Sequence, residues 1–303
     1  STLSNHEVIN EDCSLECRPH HGFCNIGFHT ILFTVGSPGS LRLSSASAST
    51  LPVSATTLRV VSLNIAHGRA DGFSQLLLDK QQIKHNLTAV SQLLNQTKAN
   101  IVALQEIDSP SIWSGDFDHA DYIGQKTNMP NRLTGHHVEG FGVAYGTALL
   151  SQLPLSNPVS YRFEPSPPTF SKGFVVASIQ WPGQTLMVDV VSLHLDFSRS
   201  TVRQAQIQEL VTLLQQRNNP VVVLGDFNTD GSGDNSCLKT LQHALKLKAY
   251  AGNGKKFETF PLTEKRLDWI LISPQMSFAN YHTLPDVVSD HLAVVAELTL
   301  NSL

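Results

Sequence analysis

The chain has 303 residues, 41% of them hydrophobic and 15% charged, with a formal net charge of −4, enough apolar material for a full core in one large or two modest domains. That balance excludes a global basic field, so a polyanionic substrate has to be held by a local group of Lys and Arg or by bound metal. No run of eighteen apolar residues is present, and no membrane span is expected.

Residues 1–57 read as an N-terminal extension. Between 36 and 57 the chain is mostly Ser, Ala, Thr, Gly and Pro, a linker or disordered composition that cannot offset its ordering entropy. Cys13, Cys17 and Cys24 precede it near several histidines, but their C-x3-C-x6-C spacing lacks the paired knuckle of common zinc sites. The stretch 23–35, FCNIGFHTILFTV, has the length of a signal-peptide core, but polar interruptions and an acidic upstream flank argue against that role. The compartment stays open between cytoplasm and export.

The domain is expected over 58–303. LRVVSL at 58–63 reads as a strand ending at Asn64, and 76–94 as an amphipathic helix with a period near 3.6. IVAL at 101–104 is a buried strand that delivers Glu106, 111–128 is helical in part, and 146–150 is a strand stopped by Pro154. Strands follow at 159–163, 174–181 and 186–195, with His194 near the end of the last. A second amphipathic helix at 199–217 leads into VVVL at 221–224. There Gly225 ends the strand, and Asp226 and Asn228, at i and i+2, leave one face at its carboxyl end. A short helix at 238–247, a strand at 266–272 carrying Asp268 and a strand at 291–300 entered by Ser289-Asp290-His291 close the chain. Strand, helix, strand order with polar residues at the strand ends is an α/β signature, and such ends are where open α/β sheets place ligands.

Each of these polar residues has an ordinary explanation alone. Gly, Asp and Asn are turn residues, Asn64 suits a strand-ending turn and Glu106 a helix N-terminus, and a histidine on an apolar strand such as His194 is commonly a satisfied core residue. Asp268 is harder to dismiss, because a carboxylate inside RLDWILI is costly without a partner. Together they imply a fold that gathers polar side chains at its strand ends.

The ordered set LNIAHG, LQEID, GTALLS, SLHLD, GDFNTD, RLDWIL and SDHLAVVAEL resembles the endonuclease/exonuclease/phosphatase superfamily of DNase I-like, metal-dependent phosphoesterases, over about 58–300. The resemblance implies a four-layered α/β/β/α sandwich of two mixed sheets, with the site where strands of both converge. It implies Glu106 as the main metal carboxylate, with Asn64 and Asp290 beside it. Asp226 and Asn228 match the pair that holds the nucleophile and the scissile phosphate. His291 matches the catalytic histidine, Asp268 the carboxylate orienting it, and His194 the second histidine of the DNase I and sphingomyelinase branches.

The chemistry is consistent with those roles. A phosphodiester repels hydroxide, so the protein must neutralise charge and position an in-line attack. The carboxylate and amide oxygens of Glu106, Asp290 and Asn64 suit Mg2+ or Mn2+ better than zinc, and imidazole against carboxylate suits His291 with Asp268 for proton transfer or phosphate contact.

Ile107-Asp108 stands where abasic-site endonucleases carry Thr-Lys, and RLDWIL lacks the pattern of inositol polyphosphate 5-phosphatases. The chain looks most like bacterial and organellar members, including phosphodiesterase-like domains of glycolipid-anchor remodelling. Substrate expectations are therefore nucleic acid, a phospholipid or sphingolipid head group, or a soluble phosphoester, acted on by a monomer. A nuclease draws on the lysines 239, 246, 248, 255 and 256, and a sphingomyelinase-like or anchor-directed enzyme on apolar loop content near Phe141, Tyr161 and Phe163. A catalytically silent scaffold is the alternative from another class.

Overall fold

The computed structural model describes residues 22–26, 29–33, 36–45, 56–72, 74, 77–233, 236–252 and 257–302, and the chain divides into two units, Ser1–Val35 and Gly36–Leu303. In the first, β1 (Gly22–Ile26) and β2 (His29–Phe33) pair antiparallel. Cys24 lies on β1, while Cys13 and Cys17 fall outside the described residues.

The second unit contains two seven-stranded sheets. One runs in the order β13 (Lys248–Ala249), β14 (Asp268–Ile272), β12 (Val221–Asp226), β11 (Met187–His194), β10 (Gly173–Gln180), β9 (Ser156–Arg162), β3 (Ser37–Pro38). The other runs β15 (Met276–Thr283), β16 (Val294–Leu300), β5 (Thr57–Asn64), β6 (Ile101–Asp108), β8 (Val143–Ser151), β7 (Asn131–Gly140), β4 (Ser40–Ser44). β11 with β12 and β5 with β6 are parallel pairs within otherwise antiparallel ladders. Helices α1 (Lys80–Thr97) and α2 (His119–Lys126) cover the second sheet, and α3 (Ser200–Gln215) and α4 (Cys237–Leu245) the first. The expected α/β/β/α sandwich is the fold.

The period-2 alternation of the strands builds three cores. Leu58, Val60, Ile101, Ala103, Val190, Val222, Leu224 and Ile270 meet between the sheets. The alternate residues Val61, Leu63, Val102 and Leu104 pack under α1 and α2, and Val191, Leu193, Val221 and Val223 under α3 and α4. Because the parity persists to the strand ends, Asn64, His194, Asp226 and Asp268 continue the rows that face the space between the sheets. One step before them the inter-sheet layer turns polar: Gln105 Nε2 donates to Ser192 Oγ across the sheets at 3.1 Å. The site is thus the polar end of the inter-sheet core.

The extension expected up to residue 57 is corrected in part. Ser37–Pro38 and Ser40–Ser44 pair with β9 and β7 as edge strands. They contribute backbone hydrogen bonds more than apolar burial, since Leu41 and Leu43 remain exposed, and Arg42 is anchored by Asp118 and Asp121 at 2.5 and 2.6 Å. Composition alone does not reveal such an edge.

At the other end of the first sheet, Asp189 is fully buried and receives Arg217 Nε at 2.8 Å and Nη2 at 3.0 Å, Ser178 Oγ at 2.6 Å and Asn219 Nδ2 at 3.1 Å. Burial opposes its charge, but these donors outweigh it and hold the carboxyl below its usual range. Its contribution is therefore present above the unfolded carboxyl value of about 3.9 and lost as pH falls through the lower folded value. Asp189→Ala takes the carboxylate from a half-buried Arg217, which keeps Asn157 O and Ser178 Oγ as acceptors, with an expected loss of about 1.5–3 kcal/mol in urea unfolding at neutral pH. A loss below about 1 kcal/mol would show that Arg217 finds water instead.

Candidate active site

Two backbone devices shape the site before any side chain does. Asp226 ends β12 after Gly225, which has φ 154°, and a Cβ there would sit 2.0 Å from Leu193 O, so only glycine fits this close approach. Asp226 Oδ1 then accepts the backbone N–H of Asn228 at 2.9 Å, and Asn228, at φ 51°, donates Nδ2 to Leu195 O at 3.0 Å. This ties the β12 end to the chain after β11. In β6 a bulge between Gln105 and Ile107 leaves Glu106 out of register at φ 52°, which turns its side chain away from the position plain alternation assigns.

The side chains form a connected chain. His291 Nδ1 lies 2.8 Å from Asp268 Oδ2, its Nε2 3.8 Å from Asp226 Oδ2, and Asn64 Nδ2 donates to the same oxygen at 3.1 Å. His194 Nε2 stands 3.5 Å from Asp226 Oδ2 and 3.9 Å from Glu106 Oε1. Asp226, Asp268, His194 and His291 are all buried, so their charges act at low dielectric. Burial works against the His291 cation, but Asp268 and Asp226 outweigh it and push its pKa up to about 10. Asp226 is raised to about 7, first by burial and further by Asp268, with His291 opposing. His194 is held well below the usual imidazole range by burial and by Lys172, and is neutral.

Glu106 has a different setting. Burial would neutralise it, but His67, Lys172 and His194 hold its pKa far below the usual carboxylate range. His67 Nε2 lies 3.4 Å, Lys172 Nζ 3.7 Å and His194 Nε2 3.9 Å away. None of these hydrogen-bonds to it, and among the described residues no hydrogen bond engages this carboxylate. An ionised, enclosed carboxylate with uncommitted lone pairs fits a hard divalent cation. Asn64 would offer its Oδ1, which already accepts Ala66 N at 3.0 Å and keeps a second lone pair. Asp290 is engaged by Arg69 Nη2, and its Oδ1 accepts Ser289 Oγ at 3.2 Å, so ligation by Asp290 needs Arg69 to give way.

Among the described residues, Asp226, Asp268 and His291 offer donor atoms all within 4.8 Å of one another. The ring bridges the two carboxylates with both nitrogens, and a cationic imidazole has no lone pair for a metal. This arrangement suits proton transfer, and the Glu106 setting suits metal.

His67 and Lys172 are the site residues that sequence reasoning missed. His67 lies inside LNIAHG, at φ 58°, with Nδ1 2.7 Å from the buried Asp108 Oδ1. Its positive φ and its place between the Asp108 and Glu106 carboxylates are visible only in three dimensions. Lys172 precedes a strand, where a lysine ordinarily meets solvent, yet it is 8% exposed. Beside them stands an aromatic wall. Tyr145 and His67 are edge to face with centroids 4.6 Å apart, Trp113 stacks on Tyr145 at 6.0 Å, and Phe170 meets both rings edge-on. Of the lysines that suggested nucleic acid, Lys248 pairs with Ile272, at the opposite end of β14 from Asp268, and gives its Nζ to Met276 O at 2.7 Å. Lys255 and Lys256 lie outside the described residues.

A model of the endonuclease/exonuclease/phosphatase family matches residues 61–291, and the chain belongs to that family. Comparison with curated proteins gave no match. Solved structures share the fold at low identity. An endonuclease/exonuclease/phosphatase from Bacteroides vulgatus is 16% identical, covering 82% of this chain and 100% of its own, with a TM-score of 0.64. A mannosyl-6-phosphatase from Bacteroides thetaiotaomicron is 16% identical over 80% of this chain and 100% of its own, at 0.59. The human Nocturnin catalytic domain with bound sulfate is 16% identical over 81% and 94%, at 0.55. The family is one of phosphoester hydrolases, and no helix among the described residues is long and apolar enough to cross a membrane.

Proposed function

We propose that this protein is a hydrolase that cleaves a phosphodiester or phosphomonoester by in-line attack of water, with Mg2+ or Mn2+ as cofactor. The observation that carries the reading is the buried chain Asp268–His291–Asp226–Asn64, set beside an ionised Glu106 that lacks hydrogen bonds. Glu106 and Asn64 would hold the cation, with Asp290 once released from Arg69. When bound, the ion neutralises phosphate charge and polarises the ester.

The remaining work falls to the protein's own groups. Asp226, with a pKa near neutrality, accepts the proton of the attacking water. Asn228, fixed through its amide to Leu195 O, orients a phosphate oxygen. His291, cationic and held by Asp268, pairs with a second phosphate oxygen. His194 is neutral and donates a ring N–H hydrogen bond to the leaving oxygen, which takes its proton from solvent, and Lys172 adds fixed positive charge.

Protein stripped with EDTA should lose hydrolysis of bis(p-nitrophenyl) phosphate and regain it with Mg2+ or Mn2+. DNA, RNA, sphingomyelin and phosphoinositides assayed in parallel then resolve the substrate. Full turnover in excess EDTA would remove the metal from the account, and no turnover of any substrate with metal restored would leave a silent scaffold.

A further inference from the structure

The large apolar side chains left exposed are not scattered. Leu77 and Ile112 follow β5 and β6, Phe141 tips the β7–β8 hairpin, Phe170 and Phe197 follow β9 and β11, and Leu262 and Val287 lie before β14 and β16. The strand registers, which bring Asn64, His194, Asp226 and Asp268 to one end, put all seven of these loops at that same end. Among the described side chains, the other exposed large apolar residues are Leu41 and Leu43 on the edge strand β4, and the loops at the opposite end of the sandwich carry none. Some tips touch: Ile112 N donates to Gly142 O at 3.0 Å, and Thr169 Oγ1 donates to Asp196 Oδ2 at 2.6 Å, which joins the Phe170 and Phe197 loops.

Folding does not demand this distribution, since exposed apolar side chains cost solubility and contribute nothing to the core. A protein partner is met by a contiguous apolar patch with a packed centre. Here the centre is the polar catalytic group, and the apolar groups stand on separate loops at the same end, an arrangement that meets a fluid surface better than a rigid one. The same loops carry more Asp and Glu than Lys and Arg, so they do not attract a polyanion or an anionic bilayer.

We propose that the catalytic end docks on a zwitterionic phospholipid surface, with the apolar tips entering the head-group boundary and the catalytic residues facing a phosphoester presented there. The identity of that ester as substrate rests on the phosphoesterase reading, and the docking does not.

The test is sedimentation of the full chain with phosphatidylcholine vesicles. The wild type and Glu106→Gln should co-sediment alike, because docking needs no turnover. Phe141→Asn, which suits φ 51° at that hairpin position, and Phe197→Ser should each lower partitioning by roughly tenfold or more. Leu41→Ser with Leu43→Ser should leave it unchanged. Hydrolysis of bis(p-nitrophenyl) phosphate, which needs no interface, should be the same in the tip variants as in the wild type. The proposal is overturned if the wild type stays in the supernatant at millimolar lipid, or if the β4 variant loses as much binding as the tip variants. It is equally overturned if tip substitution converts an oligomer to a monomer, which would make the tips a protein interface.

Discussion

His291→Ala should lower turnover by about 10²–10³, Asp268→Asn should lower it by a similar factor or less, and the double variant should be no slower than the worse single one. The expectation rests on the 2.8 Å contact between His291 Nδ1 and Asp268 Oδ2, both buried, with the other ring nitrogen turned to Asp226. Asp268 acts through the ring, by fixing its orientation and stabilising its charge, so removing both members removes one unit. Asn in place of Asp268 keeps size and hydrogen-bonding capacity, and Thr259 Oγ1, which accepts the backbone N–H of residue 268 at 3.0 Å, still holds the strand. The pH–rate profile supplies a second reading. With its pKa at about 10, His291 stays cationic across the neutral range, and activity that needs the cation falls as pH rises through that value. Without the Asp268 charge the pKa drops, so the alkaline limb should move to lower pH. Additive losses with an unmoved limb would separate the two residues and return the catalytic assignment to His194.

Much of the fold was legible because the buried strands announce themselves. β5, β6, β10, β11, β12, β14 and β16 are apolar runs enclosed on both faces, and each lies within a few residues of its expected place. α1 begins at Lys80 and not at 76 because Asp79 caps it, accepting Gln81 N and Gln82 N while Gln82 caps back. The helical part expected within 111–128 is His119–Lys126, and the residues before it form a loop that places Trp113 on the aromatic wall. β7 went unseen because NRLTGHHVEG mixes buried polar residues such as Thr134 and His137 with apolar ones. β15 is an edge strand with little apolar alternation.

The site divides along similar lines. Asn64, His194, Asp226 and Asp268 were legible because each continues the inter-sheet parity of an apolar run, and the motif resemblance supplied their roles. Glu106 carried the motif, but its aim depends on a bulge that no local pattern predicts. Asp290 lies next to His291 as expected, yet its carboxylate is taken by Arg69, 221 residues away in sequence. His67 and Lys172 reach Glu106 only through the closure of the sandwich, from positions where histidine and lysine are unremarkable.

The central claim is that Glu106 is kept ionised in order to hold a divalent cation. Glu106→Gln preserves the shape of the side chain and removes the charge that His67, Lys172 and His194 surround. Loss of a primary oxygen ligand should weaken metal affinity by at least about tenfold, the lower range found even for residues that only support ligands, and turnover should fall with it. The direct measurement is Mn2+ binding by titration calorimetry on wild type and Glu106→Gln, with turnover and melting recorded on the same samples. The account predicts binding by the wild type, binding weakened at least tenfold in the variant, reduced turnover and an unchanged cooperative melt. Equal Mn2+ affinity in the two proteins, with turnover undiminished in the variant, would contradict it.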